Sequence, residues 1–306
     1  MRDRNKFSQP TSIYIDAISK NEIAAEASQA DEQLIQLWLH GKSRHTRRYY
    51  QKDAQRFRDL IGKPLVQVTL GDLQTFADSL ETSNLAPSSQ ARILSAVKSL
   101  LTFGHRIGAL PVNVGAPIKA PPAQNTLAER ILSEREVQSI LQQATNARDR
   151  VLLCVLYVAG LRVSEVCGLR WRDLQSRSEA GGQLNVFGKG GKTRVVLLPL
   201  SVWQSVMALR GDAKANAPVF RSRKGGHLDP SQVMRIVRAA AQRAGIEGNV
   251  SPHWLRHAHA SHSLDRGAPI HLVQATLGHA SVATTGRYLH ARPQDSSSKY
   301  LEIQSE

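Results

Sequence analysis

Two arginines, two histidines and a tyrosine in the second half of the chain have the side chains needed to break and remake a phosphodiester. They are Arg162 in GLRVSE, His253 and Arg256 in HWLRH, His279 in LGH, and Tyr288. A tyrosine hydroxyl is protonated at neutral pH, so it needs fixed positive charge around the phosphate that it attacks. Arginines supply that charge because they do not lose their protons. These residue types predict covalent attack by a tyrosine on a phosphate.

A glycine-rich turn offers a further candidate group. Residues 184–187 and 193–198 are β-branched or apolar runs on either side of the sequence GKGGK at 188–192, a pattern typical of a β-hairpin. A lysine at the tip of such a hairpin can enter a groove and protonate a leaving oxygen. The Gly-x-x-x-x-Gly-Lys-Ser/Thr spacing of a phosphate-binding loop is absent.

Four histidines between residues 253 and 262 suggest a metal site as an alternative. His253 and His257 stand one helical turn apart, but no cysteine or carboxylate nearby completes a ligand set, and the His-Glu-x-x-His form is missing. We therefore predict no metal and no cofactor. His257 and His262 are expected to be structural, packing or hydrogen-bonding behind the site.

The motifs resemble those of the tyrosine recombinases, the phage-integrase and Xer group that includes relatives of Cre and lambda integrase. The resemblance covers about residues 31–290, and its blocks stand in the family's order: GLRVSE at 160–165, GKGGK at 188–192, SPHWLRH at 251–257, LGH at 277–279, and Tyr288. It implies a mainly α fold with a small β-hairpin or sheet in the catalytic domain. It also implies a two-domain DNA clamp, with a helical core-binding domain beside the catalytic one.

The same resemblance implies a site-specific DNA recombinase that acts in integration, excision or chromosome-dimer resolution. Tyr288 would attack a backbone phosphate and leave a 3′-phosphotyrosyl enzyme with a free 5′-hydroxyl. Arg162, Arg256 and His279 would hold the nonbridging oxygens, whose charge grows in the transition state.

The remaining roles also follow from the resemblance. His253 is expected to take the tyrosyl proton, and Lys189 matches the family's lysine that supplies a proton to the leaving oxygen. Glu165 matches the acid that accompanies the first arginine, and it is close enough in sequence to orient a neighbouring Arg or His. Lys192 is expected to be a solvated turn residue.

Two other functions share parts of this pattern. A type IB topoisomerase uses similar chemistry, although this chain has the helical first domain and short tail of the recombinases. A non-enzymatic, sequence-specific DNA-binding protein of the same lineage would have lost some of the site residues, and here none is missing.

Composition independently indicates a polyanion as partner. The chain has 40 Lys+Arg against 25 Asp+Glu, a formal net charge of +15, although a highly charged surface is also typical of a merely well-solvated protein. Cys154 and Cys167 lie in apolar surroundings and are expected to be free buried thiols in a reducing compartment. No signal peptide or membrane span is predicted. We expect a cytoplasmic, nucleoid-associated protein with no membrane partner.

The chain is predicted to have two domains. Residues 1–30 are read as a mobile tail, 31–116 as the helical core-binding domain, 117–130 as a proline-marked linker, and 131–306 as the catalytic domain with a C-terminal tail. Length agrees, because 306 residues suit two cores. In the helical domain, basic side chains with few acidic partners are expected to contact phosphates of double-stranded DNA: Arg44, Arg47, Arg48, Lys52, Arg92 and Lys98.

Local signals set some helix boundaries. Thr69 is expected to open one helix, Ser133 with Glu136 resembles a capping box at the start of the catalytic domain, and Ser281 is expected to cap a helix that presents Tyr288. Gly286 would make that last helix pliable.

Further protomers of this chain, or a paralogue, are the expected protein partners in a tetrameric synapse. The tail after residue 290 has a small apolar face at Tyr300, Leu301 and Ile303 that a short tail cannot bury alone. By the family resemblance, it is expected to dock on a neighbouring protomer.

Overall fold

The computed structural model describes residues 11–119, 127–177, 181–188, 191 and 193–289. The chain divides into two compact units, Met1–Gln124 and Asn125–Glu306. The mainly helical fold with one small sheet that was predicted is confirmed, and each unit has its own apolar core.

The described part of the first unit contains four α-helices. They are α1 (Thr11–Leu39), α2 (Arg44–Ile61), α3 (Leu70–Glu81) and α4 (Pro87–Arg106). Ser43 caps α2 by accepting a hydrogen bond from the Thr46 amide, and Thr69 caps α3 through a capping box with Asp72. The helix predicted to start at Thr69 is therefore confirmed.

Helix α1 begins earlier than the sequence pattern predicts. The sequence predicts a mobile tail over residues 1–30 and a helix from Asp31, whereas the helix extends back to Thr11. Its residues before 31 lack a regular apolar stripe, but residues 11–30 contain no Gly or Pro and include five Ala and two Glu. Such residues favour a helix even where no hydrophobic face requires one.

Aromatic side chains from three helices hold the first unit together. Phe57 of α2 and Phe76 of α3 are fully buried and meet edge to face, with ring centroids 5.0 Å apart. Trp38 of α1 stacks on Tyr50 of α2 at 5.0 Å. These contacts leave the arginine-bearing face of α2 exposed.

The second unit contains the remaining helices of the described chain and the sheet. Its helices are α5 (Glu134–Gln142), α6 (Ala147–Val158), α7 (Val163–Gly168), α8 (Leu200–Met207), α9 (Pro230–Arg243), α10 (Pro252–Asp265), α11 (Ile270–Leu277) and α12 (Val282–Gly286). The capping box of Ser133 and Glu136 at the start of α5 is present as predicted. No helix in the described ranges is long and apolar enough to cross a bilayer.

The sheet has three antiparallel strands in the order β1 (Leu174–Ser176), β2 (Gly182–Phe187) and β3 (Thr193–Leu198). The predicted hairpin of β2 and β3 is confirmed, with Phe187 opposite Thr193, and β1 extends it by one strand. Alternate residues such as Leu184 and Val196 are buried in the core.

The last helix is shorter than predicted. Ser281 caps α12 through the Ala283 amide, as expected, but the helix ends at Gly286. Tyr288 lies in the turn that follows, where its amide bonds to the Thr285 carbonyl. Glycine disfavours helix formation. The sequence predicts a pliable helix at Gly286, and in the structure the helix ends there.

Candidate active site

Arg162 is positioned by a sharp turn between α6 and α7. Gly160 has φ +57, and a Cβ there would lie 2.8 Å from side-chain atoms of His259 and Leu277, so both backbone and space require glycine. From this turn Arg162 donates one hydrogen bond to Glu165 at 2.9 Å and another to the Gly278 carbonyl at 3.1 Å. Its guanidinium is therefore fixed while its side chain stays partly exposed.

Glu165 is the buried carboxylate behind the arginines. Besides Arg162, it binds Arg194 of β3 through two hydrogen bonds of 2.8 Å each. Burial would raise the pKa of Glu165, but the bonds from Arg194 and from the Arg162 amide lower it to about 2. Glu165 is thus ionised at neutral pH and orients both cations.

Arg256 of α10 is almost completely buried, at 2% exposure. Its guanidinium donates to the Gly160 carbonyl and, at 2.6 Å, to the Leu277 carbonyl. Burial and the charge of Arg162 lower its pKa to about 10, so it remains protonated at neutral pH. Helix α10 thus carries a fixed positive charge into the interior.

A cleft of about 250 Å³ joins these groups. Arg162, His253 and Arg256 line it together with Ser164 and Met234. His253 is exposed at its edge, yet desolvation of the ring and the charges of Arg256 and Arg162 lower its pKa. The cleft combines two cations with an imidazole, as a site for a phosphate oxygen requires.

His279 follows the left-handed end of α11. Gly278 takes φ +64 there, and Nδ1 of His279 lies 2.9 Å from the Thr285 hydroxyl. The His279 ring is nearly parallel to that of Tyr288, with centroids 6.4 Å apart. Desolvation and nearby arginines, first Arg256, lower the pKa of His279 to about 4, so it is neutral at pH 7.

Tyr288 is buried, at 6% exposure, among the side chains of Leu127, Ile131, Ala260, Val273 and Leu277. Its hydroxyl lies 2.7 Å from Nδ1 of His257. Burial raises the pKa of Tyr288 against the opposing charges of Arg256 and Arg287, so the phenol is protonated at neutral pH.

His257, which the sequence predicts to pack or hydrogen-bond behind the site, therefore contacts the candidate nucleophile directly. Its ring stacks on that of His253 at 5.2 Å, and desolvation with the charge of His253 lowers its pKa to about 4. His262 lies farther along α10 and pairs with the Tyr157 hydroxyl at 3.0 Å.

Of the predicted catalytic residues, Arg162, His253 and Arg256 line this cleft, whereas His279 and Tyr288 lie next to each other and do not line it. Lys189 and Lys192 fall outside the described residues. Within the described ranges, no group of three His, Cys, Asp or Glu side chains is arranged to hold a metal ion.

The predicted DNA-contacting residues separate into two groups. Arg44, Arg47, Arg48 and Lys52 are exposed on α2. By contrast, Arg92 is ion-paired with the buried Asp53, and Lys98 donates to the Ile118 carbonyl. These last two have roles within the first unit that the local sequence does not reveal.

Arg194 binds the site carboxylate Glu165 but belongs to none of the motifs recognised in the sequence. One signal existed: it is the sole charged residue in the apolar strand TRVVLL, and a buried Glu165 requires cationic partners. No comparable signal marked His257, because its partner Tyr288 is 31 positions away.

Comparison with known proteins identifies the family. Residues 130–295 match the model of the phage integrase family, and residues 31–107 match the phage integrase N-terminal SAM-like domain. The chain belongs to the phage integrase family. The resemblance seen in the motifs is thereby confirmed.

Individual relatives agree. Tyrosine recombinase XerC of Xylella fastidiosa is 36% identical over 262 residues, covering 82% of this chain and 87% of the relative. The crystal structure of XerA recombinase covers 91% of this chain and 100% of its own, with 27% identity and a TM-score of 0.51. A lambda integrase tetramer bound to a Holliday junction covers 90% of this chain and 80% of its own, with 18% identity and a TM-score of 0.72.

These relatives settle the functional class. The protein is a tyrosine site-specific recombinase, an enzyme that breaks and rejoins DNA strands, as predicted. The topoisomerase and non-enzymatic alternatives are not favoured.

Proposed function

We propose that Tyr288 is the nucleophile of this recombinase and that the cleft beside it binds the scissile phosphate. The observation that carries the proposal is the shared cleft of Arg162, His253 and Arg256, with Tyr288 held against the same helix, α10. In line attack by the hydroxyl would form a bond to phosphorus and break its bond to the 5′-oxygen.

Arg162 and Arg256 neutralise the nonbridging oxygens in this proposal. The Arg162 guanidinium is already fixed by Glu165 and the Gly278 carbonyl, and that of Arg256 by the Gly160 and Leu277 carbonyls. Little reorganisation is therefore needed when charge grows on the phosphate. Neutral His279 adds a hydrogen bond to the same phosphate.

Two proton transfers complete the reaction. The phenol must lose its proton, and His253, which is neutral at pH 7 and exposed at the cleft, is the proposed acceptor. Lys189 is the proposed donor to the leaving 5′-oxygen. Because the phosphotyrosine keeps the energy of the broken bond, a 5′-hydroxyl from another strand can reverse the step without a nucleotide cofactor or metal.

The proposed partners are double-stranded DNA and further protomers. The exposed basic face of α2 supports phosphate contact by Arg44, Arg47, Arg48 and Lys52. The lambda integrase relative forms a tetramer on a Holliday junction, which supports a tetrameric synapse here. A paralogous partner, docking of the C-terminal tail, and a place at the nucleoid in the cytoplasm are part of the same proposal.

We also propose that the two units act as a clamp on DNA. Residues 31–116 would be the core-binding domain, 117–130 the linker and 131–306 the catalytic domain, with residues 1–30 preceding them.

The test is covalent trapping on DNA. Cells that express the protein are lysed in denaturant, and DNA attached to it is sequenced to obtain the target site. A nicked duplex of that sequence should then trap the parent protein as an adduct stable to denaturant, whereas Tyr288→Phe should bind equally well and form none. An adduct with Tyr288→Phe would refute the assignment of the nucleophile.

A further inference from the structure

The segment that carries the nucleophile is held to the second unit by two buried side chains. Between Ser281 and Leu289, only Thr285 and Tyr288 are buried, and the flanking Val282 and Leu289 are each 49% exposed. Each buried side chain is hydrogen-bonded to a histidine: Thr285 to His279 at 2.9 Å, and Tyr288 to His257 at 2.7 Å. The attachment of this short segment therefore depends on a few contacts.

The Tyr288 side chain is not among those that line the cleft of Arg162, His253 and Arg256. Its ring lies in an apolar cluster with Leu127, Ile131 and Val273. A charged phosphodiester does not enter such surroundings, because its desolvation would go uncompensated. The hydroxyl, which lies at Nδ1 of His257, must therefore move into the cleft to reach a phosphate bound between Arg162 and Arg256.

We infer that His257 is a positioning residue that holds the Tyr288 hydroxyl in this withdrawn state, and that breaking their hydrogen bond is a step of nucleophile activation. The inference rests on Tyr288 being the nucleophile. His257 is well suited to the task, because it lies on the rigid helix α10 and its ring is fixed by stacking on His253.

This restraint acts on only one side of the cleavage equilibrium. The hydrogen bond requires a Tyr288 hydroxyl in its buried position, so it stabilises the uncleaved state and is absent from the phosphotyrosyl state. Removing the histidine should therefore shift the equilibrium toward the covalent complex. The expected shift is about twofold to tenfold, the range produced by loss of one ordinary hydrogen bond.

The chain provides a matched control on the same helix. Nδ1 of His262 lies 3.0 Å from the hydroxyl of Tyr157, which is a second histidine–tyrosine pair with the same atoms. Tyr157 belongs to α6 and has no part in the proposed chemistry. Variants of His257 and His262 each remove one histidine–tyrosine hydrogen bond. Only the His257 variants release the proposed nucleophile.

The first measurement uses the free protein and needs no DNA. Acetylation of tyrosyl hydroxyls by N-acetylimidazole is followed by mass spectrometry for Tyr288 and Tyr157. His257→Phe and His257→Leu should each acetylate Tyr288 about twofold to tenfold faster than the parent. His257→Asn, which retains a hydrogen-bonding atom near the place of Nδ1, should stay near the parent rate.

The control variant should show the opposite selectivity. His262→Leu should accelerate acetylation of Tyr157 and leave Tyr288 unchanged. If Tyr288 reacts at the parent rate in both His257→Phe and His257→Leu, the restraint does not exist. Two acceptor-free variants are used so that poor folding of one leaves the other to decide.

The second measurement concerns the reaction. On an intact duplex of the site recovered from cells, the covalent fraction at equilibrium should rise about twofold to tenfold in His257→Leu and remain at the parent level in His257→Asn and His262→Leu. A fall in His257→Leu would mean that His257 aligns the nucleophile for attack, and the inference would be wrong. Failure of the proposed function is recognised separately, because the parent would then form no adduct at Tyr288 while the acetylation result would stand.

Discussion

The carboxylate of Glu165 receives two parallel hydrogen bonds of 2.8 Å from the guanidinium of Arg194. Both side chains are largely buried, at 3% and 13% exposure, and Arg162 is attached to the same carboxylate. Arg194 lies on β3 and does not line the cleft. It nevertheless holds Glu165, which in turn aligns Arg162 in the cleft.

Replacing Arg194 with Met should therefore impair both stability and catalysis. It removes the stronger partner of a buried carboxylate, so the free energy of unfolding should fall by about 3 kcal/mol in urea titration. Arg162 would lose its alignment, and the rate of adduct formation should fall about tenfold. The double variant with Glu165→Gln should recover stability but not rate; recovery of both would show that Arg194 is purely structural.

Acid should destabilise the second unit in two successive pH windows. The folded protein lowers the pKa of three histidines from 6.5 to about 4: His257, His259 and His279. As pH falls from 6.5 to 4, the unfolded chain therefore binds protons that the folded chain does not, and the free energy of unfolding decreases. Glu165 has a pKa of about 2 in the folded protein against 4.5 ordinarily. Its contribution to the free energy of unfolding is complete above pH 4.5 and is lost as pH falls toward 2.

Urea midpoints measured from pH 7.5 to 3 should therefore decline from about pH 6.5 downward, the window of the histidines. His279→Asn should lessen the decline in the first window and leave the second unchanged. A midpoint that stays constant between pH 6.5 and 5 would contradict the neutral state of these histidines.

Arg48 and Arg92 should differ in their effect on DNA binding. Arg48 is exposed on α2, while Arg92 is paired with the buried Asp53. Arg48→Gln should reduce the slope of log affinity against log salt by about 0.9, the value for one phosphate contact. Arg92→Gln should instead lower the unfolding midpoint and keep the parent's slope. Equal slopes for Arg48→Gln and the parent would exclude Arg48 from phosphate contact.

Lysine should not replace Arg256. The guanidinium reaches carbonyls on two separate segments, at Gly160 and Leu277, which one ammonium group cannot do in the same geometry. Arg256→Lys should slow adduct formation by about 10²-fold or more. Arg243 is a matched control, since it donates two bonds to the Gln143 carbonyl at an exposed position, and Arg243→Lys should retain the parent rate.

Sequence predicted what local patterns determine. Thr69 with Asp72, and Ser133 with Glu136, mark helix starts because capping depends on residues three positions apart. The start of α1 at Thr11 was missed because helix propensity without an amphipathic stripe leaves little periodic signal.

The site was predictable only as far as its motifs extend. Arg162 and Arg256 stand in recognisable blocks, but the bonds of Glu165 to Arg194 and of His257 to Tyr288 join positions 29 and 31 residues apart. Such pairings arise from how α7 meets β3 and how α10 meets the turn after α12. They depend on tertiary packing, which no local spacing encodes.

The most direct test of the account is to identify the amino acid that becomes joined to DNA. Trypsin cuts after Arg287 but not between Arg292 and Pro293, so residues 288–299 form one peptide with Tyr288 as its single tyrosine. After nuclease digestion of the adduct, mass spectrometry should find a nucleotide phosphate on that peptide and on no other. A nucleotide attached to Tyr157, Tyr300 or any other residue in place of Tyr288 would contradict the central claim.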